Sequence, residues 1–242
     1  MHILRTTTAS RAGSGRAANQ DRVAHGPRRV VLADGMGGRQ GGERAAQLAV
    51  DTVLEPRGGR FEDPRRAILR ANARIREQAA AEDLPGMGTT VVVVDHPDVE
   101  AANVVVAWVG DSRLYRVRDG VAEPVTRDHT WEALLLELGT DPDAARERRH
   151  VLTRAVGTQA RVDVDLCTFE VRPGDRLVLC SDGVHTALGP EAIAALAGQG
   201  APALVDAAVA AGTRDDATAA VVELAPVDVD ADTGQLPVLT PA

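Results

Sequence analysis

The chain has 242 residues, 44% of them apolar but only 2% aromatic, and it sets 27 arginines, with no lysine, against 35 acids for a formal charge of −8. That length supplies one large domain or two small ones, with a core that must be built from Val, Leu, Ala and Ile, and the acidic balance argues against nucleic acids and anionic membranes as partners. The longest apolar run, residues 104–109, is far short of the roughly 18 residues of a spanning helix, and the opening MHILRTTTASR lacks the apolar stretch of a signal peptide, so a cytoplasmic location is expected.

In chain order, two periodicities alternate. A strand is predicted over Ile3–Thr8 and another over Arg29–Ala33. A helix follows over Glu43–Leu54, with Ala45, Leu48, Ala49 and Val53 on one face. A second spans Pro64–Glu82, with Ile68, Ala71, Ile75 and Ala79 on its stripe and Pro64 placed for a helix start. Strands then run in succession at Thr89–Asp95, Asn103–Val109 and Leu114–Arg118, the last leading into a hairpin turn at Arg118–Asp119–Gly120–Val121. Trp131, Leu134, Leu135 and Leu138 mark a helix over Thr130–Leu138, and such stripes are ordinarily core. Strands at Val164–Val171 and Arg176–Cys180 follow, then a helix around Leu204–Val209 and a strand at Thr218–Leu224. Grouped strands and grouped helices favour an α+β layered sandwich over a doubly wound parallel sheet. Residues 1–225 read as one domain, and 226–242, rich in Asp, Pro and Thr, as a mobile tail.

Cys167 and Cys180 lie in apolar runs and read as buried thiols, and no two of the six histidines have helical ligand spacing. A metal site built on nitrogen or sulfur is therefore not expected. The informative residues are aspartates that follow apolar runs: Asp34 after VVLA, Asp111 after VVVAWVG, Asp182 after LVLCS. Carboxylates at strand tips are held rigidly and can converge on one cleft, with Asp21 and Asp215–Asp216 joining from loops. Such acids raise one another's pKa unless cations offset them. Oxygen ligands alone suit Mg²⁺, Mn²⁺ or Ca²⁺. An isolated Asp-Gly is ordinarily a turn, and Asp119–Gly120 is read as one. Asp34–Gly35 differs, because five glycines stand in the eight positions 35–42, just before a helix. Their entropic cost suggests that backbone there approaches a ligand closely.

These residues fall in a family's order. GSGRAANQD, VVLADGMGGRQGGERAA, GMGTTVVVV, VGDSRLYRV, TRDH, VLTRAVG, LVLCSDGV and TRDDATAAVVEL run across residues 13 to 223. The chain resembles the bacterial metal-dependent protein phosphatases of the PPM (PP2C-like) type. The resemblance implies an αββα sandwich, two packed antiparallel sheets flanked by helix pairs. It also implies two Mn²⁺ or Mg²⁺ ions: Asp34 matches the acid that bridges them, the Gly35 carbonyl a further ligand, and Asp182 and Asp215 the acids completing the pair. Asp111 matches the ligand of a third, weaker ion. Asp21 matches an acid contacting the site's water shell, and Arg16 the cation holding the substrate phosphate. Gly88 to Thr90 match a structural stretch, and His129 with residues 139–150 the region of a mobile flap; His129 is left out of the site as a structural hydrogen-bonder.

The implied activity is hydrolysis of phosphoserine and phosphothreonine in proteins by a water shared between two metals, opposing a Ser/Thr kinase, with phosphorylated proteins as partners and a monomer expected. No Cys or Ser nucleophile is needed. Some members carry His directly after the metal-binding Asp-Gly; here it is Met36, which cannot donate a proton. Asp216 stands where the family usually has Asn, Gln20 where some members have Glu, and His150 near a common Asn. Two other readings stay open: a non-catalytic phosphoprotein-binding or sensor module on the same scaffold, and a hydrolase of small phosphorylated metabolites. Retention of every core acid and of Arg16 favours the protein phosphatase.

Overall fold

The computed structural model describes residues 2–16, 18–56 and 61–226, without the side chains of 38–40 and 226. The predicted tail therefore lies, apart from Pro226, outside the described residues. Two antiparallel sheets form the centre. One has the order β1 (His2–Arg11), β11 (Ala217–Pro226), β10 (Arg176–Cys180), β7 (Arg113–Arg118), β8 (Val121–Pro124). The other has the order β2 (Asp21–His25), β3 (Arg29–Met36), β5 (Val91–Asp95), β6 (Asn103–Val109), β9 (Asp165–Glu170), with the two-residue β4 (Gly88–Thr89) beside the end of β3. All of these pairs are antiparallel.

The strands read as continuous apolar runs because both faces of each sheet are covered. Period-two alternation divides their residues. Val30, Leu32, Val92, Val94, Leu177 and Leu179 point inward and form the core between the sheets. Val31, Ala33, Val91 and Val93 point outward against α1 (Gly38–Leu54) and α2 (Pro64–Ala81). Val178, Cys180, Ala217 and Ala219 point outward against α5 (Asp182–Leu188), α6 (Pro190–Leu196) and α7 (Ala201–Ala210). The layers are thus helix, sheet, sheet, helix, as the sequence led us to expect. Among the described residues, no helix is long and apolar enough to cross a membrane.

Local chemistry explains several boundaries. Asp63 caps α2 by accepting the Arg66 N–H, with Pro64 in the first turn. Asp119 (φ 51°) and Gly120 (φ 77°) are both left-handed, the signature of a two-residue turn joining β7 to β8. Other expectations need correction. Helix α3 (Trp131–Glu137) has no buried residue, and Leu138 beyond it is 72% exposed. Its apolar stripe is real, but the short helix packs chiefly on α4 (Pro142–Arg146) and not on a sheet, so the stripe is not core. Cys180 is buried as expected, whereas Cys167 is only half-buried. The stretch after Asp182 holds three helices where periodicity marked one, because Gly189, Pro190 and Gly200 cut the pattern into pieces too short to read.

Candidate active site

A cleft of about 930 Å³ opens at one end of the sandwich, and Arg16, Asp34, Gly35, Asp111, Asp182 and Asp215 all line it. Five separate segments deliver them. Asp34 and Gly35 are the two residues before Met36, the last of β3. Asp111 sits in the β6–β7 turn, Asp182 opens α5, Asp215 lies two residues before β11, and Arg16 rides on the loop between β1 and β2. Asp182 is therefore a helix-start residue and not a strand tip, although one residue separates it from β10.

Asp21 is the one predicted site residue that does not line the cleft. It stands opposite Asp34 in the β2–β3 ladder, is only 2% exposed, and accepts the Ser181 hydroxyl at 2.7 Å. Its second oxygen, Oδ1, has no partner, and neither does Oδ1 of Asp182. Burial pushes the Asp21 carboxyl up to about 7, against the nearby Thr218 and Ser181 hydroxyls, which favour the charged form. Burial pushes Asp34 well above the usual carboxylate range, reinforced by Asp21, Asp182, Asp111 and Asp215. Asp111 rises to about 7 through burial and the Asp182 charge, and Asp182 to about 6 through burial and Asp215. Four crowded acids that resist ionisation, two with orphaned buried oxygens, form an environment suited to a hard divalent cation.

Among the described residues, no three His, Cys, Asp or Glu side chains form a ready-made cage for a single ion.

Around the acids the backbone is tightly braced. The Asp34 N–H donates to Thr90 Oγ1 at 3.0 Å, and Thr90 Oγ1 shares a 2.7 Å hydrogen bond with Ser112 Oγ, tying Asp34 to the Asp111 turn. Gly110 in that turn has φ 106°, and a Cβ there would lie 2.6 Å from Thr90. The glycine run has a different use from the one the sequence suggested. A Cβ on Gly35 would fall 2.1 Å from the Gly42 carbonyl oxygen, and one on Gly42 would fall 2.8 Å from the Gly35 carbonyl carbon. Gly35 and Gly42 therefore let β3 and α1 touch backbone to backbone, so the close approach is internal.

Two histidines near the cleft are structural. His129 Nδ1 accepts the Gly110 N–H at 3.1 Å, leaving its proton on Nε2 towards Asp165 at 3.2 Å, and burial lowers its pKa. His185, unnoticed in the sequence, donates from Nε2 to the Asp111 carbonyl at 3.1 Å, and burial lowers its pKa to about 4. A neutral imidazole thus braces the Asp111 backbone from behind.

A family model described as protein phosphatase 2C matches residues 10–211. The chain belongs to the protein phosphatase 2C family. It is 34% identical over 248 residues to the serine/threonine protein phosphatase PstP of Mycobacterium tuberculosis, an alignment covering 96% of this chain and 46% of that protein. The chain therefore spans about half the length of that relative. Protein phosphatase PhpP of Streptococcus pneumoniae is 30% identical over 244 residues, covering 90% of this chain and 96% of that one. The crystal structure of the catalytic domain of PstP in complex with two manganese ions superposes with a TM-score of 0.80 at 32% identity, covering 93% of this chain and all of that one.

Two of the departures from the PP2C pattern now have a structural account. Met36 is exposed at the rim, where a thioether offers no proton. Asp216 does not add a carboxylate to the cleft. Asp215 lines the cleft while Asp216 points back and accepts the N–H groups of Gly13 and Gln20.

Proposed function

We propose that the chain is a metal-dependent protein serine/threonine phosphatase that acts on phosphorylated proteins. The observation that carries this reading is the convergence in one cleft of acids that suppress each other's ionisation, with a guanidinium at the rim. Asp34, Asp182, Asp215 and the Gly35 carbonyl would hold two Mn²⁺ or Mg²⁺ ions, with Asp111 serving a weaker third. When bound, such ions supply Lewis acidity and make water a competent nucleophile near neutral pH.

The protein's own groups do the rest. Arg16 Nη1 donates to Gln20 Oε1 at 3.2 Å and its Nη2 pairs with Asp215, which aims the planar fork across the cleft. A phosphoryl group entering there would accept from the guanidinium N–H groups not given to Gln20 and Asp215 and have its charge offset as it transfers. Asp21 and the hydroxyl of Ser181 back Asp34 from inside the sandwich, outside solvent. Neither Cys180 nor Ser181 is placed as a nucleophile. Cys180 packs in the core with its thiol pushed up to about 12 by burial, and the Ser181 hydroxyl is committed to Asp21. Activity with para-nitrophenyl phosphate and a phosphothreonine peptide in Mn²⁺, abolished by EDTA, is the expected result. Absence of turnover on both substrates with Mn²⁺ in excess would favour the binding-module reading instead.

A further inference from the structure

The loop that carries Arg16 runs from Gly13 to Gln20, and a single side chain fastens both of its ends. Asp216 Oδ1 accepts the Gly13 N–H at 2.9 Å, and Asp216 Oδ2 accepts the Gln20 N–H at 2.8 Å. The carboxylate is 3% exposed, so neither bond competes with solvent. The loop is also seated directly on the backbone beside Asp216, since a Cβ on Gly13 would fall 2.3 Å from the Arg214 carbonyl oxygen. Within the loop, the Arg16 N–H closes a turn onto the Gly13 carbonyl at 3.0 Å. Arg16 is therefore referenced at its backbone to Gly13 and at its side chain to Gln20, the two points that Asp216 holds, with Nη2 also paired to the neighbouring Asp215.

We infer that Asp216 is the positioning residue for Arg16, holding its guanidinium where the phosphate arrives; this rests on the reading of Arg16 as the phosphate anchor. The inference turns on a carboxylate in particular. Both oxygens of Asp accept, whereas an amide offers one acceptor and one N–H₂ donor, which would face a backbone N–H with nothing to accept. An Asn at this position could hold one end of the loop but not both. In this chain the arginine loop has a two-point anchorage that an amide cannot reproduce, and it comes from the residue next to Asp215.

The test is a double-mutant cycle between Asp216→Asn and Arg16→Ala. It reads the KM for para-nitrophenyl phosphate and the Kd of the Mn²⁺-loaded protein for inorganic phosphate. In the native background, Asp216→Asn should weaken phosphate binding and raise KM by the same factor, roughly fivefold, with kcat changed less than about twofold. In the Arg16→Ala background the same substitution should change neither. Amide exchange over residues 13–20 should speed up in both backgrounds. If the amide variant does not fold, Asp216→Ser, which can accept one N–H, takes its place with the same expectation.

Unchanged phosphate affinity in the native background would overturn the inference, as would an equal loss in both backgrounds. If Arg16→Ala binds phosphate as tightly as the native protein, Arg16 is not the anchor and the inference falls with it. Phosphate binding that follows the expected pattern without any turnover would instead sink the proposed activity and leave the role of Asp216 standing.

Discussion

Asp21 and Asp34 face each other across the antiparallel β2–β3 ladder, one sealed inside the sandwich and the other opening on the cleft. Two carboxyls in register, both with raised pKa, mean that the metal-free fold prefers them protonated. A carboxyl whose folded pKa lies above its unfolded value contributes stability at low pH and loses it as pH rises through the folded value. With Asp21 and Asp111 at about 7 and Asp182 at about 6, metal-free protein in EDTA should gain thermal stability as pH falls from about 7 towards 5. Added Mn²⁺ should flatten that slope by favouring the ionised forms. Scanning fluorimetry at several pH values, with and without Mn²⁺, measures both. A melting temperature that falls over this window in EDTA would contradict the assignment.

Replacing Asp34 or Asp182 by Ala should reduce turnover of para-nitrophenyl phosphate by at least about 10³-fold, since several kcal/mol of transition-state stabilisation depend on the ions these acids are proposed to hold. Asp119→Ala is the matched control. Asp119 is left-handed at φ 51° in the hairpin turn, so its replacement should cost about 1–2 kcal/mol of stability and leave activity intact. Equal losses for all three variants would mean that turn and site have been confused.

Asp111→Ala should separate the proposed weaker ion from the proposed pair. Its turn is braced by His185 and by the Thr90–Ser112 hydroxyl contact, so removing the carboxylate should leave the backbone in place. Turnover should fall about 10- to 100-fold, while calorimetric titration with Mn²⁺ still reports two ions bound. Loss of every ion in this variant would reject a separate third position.

Far from the cleft, Arg29 is 1% exposed and donates to Asp95 at 2.8 Å, to the carbonyls of Val53 and Glu62, and stacks over Phe61. Asp95→Ala leaves that guanidinium without its anion and should cost about 3–5 kcal/mol, lowering the melting temperature by roughly 10 °C. Metal affinity should not change, and a shift in it would show that this pair couples to the cleft.

The layered architecture was legible because apolar runs such as VVVV at 91–94 are the mark of strands covered on both faces. Asp34, Asp111 and Asp182 stood out because each follows an apolar run, and the structure brings them into one cleft with Asp215, which has no such lead-in. What the residue pattern could not show was which way a side chain faces or what an apolar helix packs against. Trp131 and Leu138 have helical spacing yet lie open, since periodicity defines a face and not its neighbour. Likewise, the glycines at 35 and 42 announce crowding but not whether the crowding is by a ligand or by another strand or helix. Asp216 was ambiguous for the same reason, until its two backbone partners, some two hundred positions earlier in the chain, were in view.

All ten residues of β1, from His2 to Arg11, pair with β11, from Pro226 back to Ala217. The Arg16 loop leaves one member of this ladder and Asp215 enters the other. Because β11 lies between β1 and β10, the pairing that completes this sheet also brings Asp215 to the cleft that Arg16 lines. Such pairing demands a long-range closure, so the proposed activity would double as a report on completed folding, and fragments cut short of residue 215 should lose it together with the continuity of the sheet.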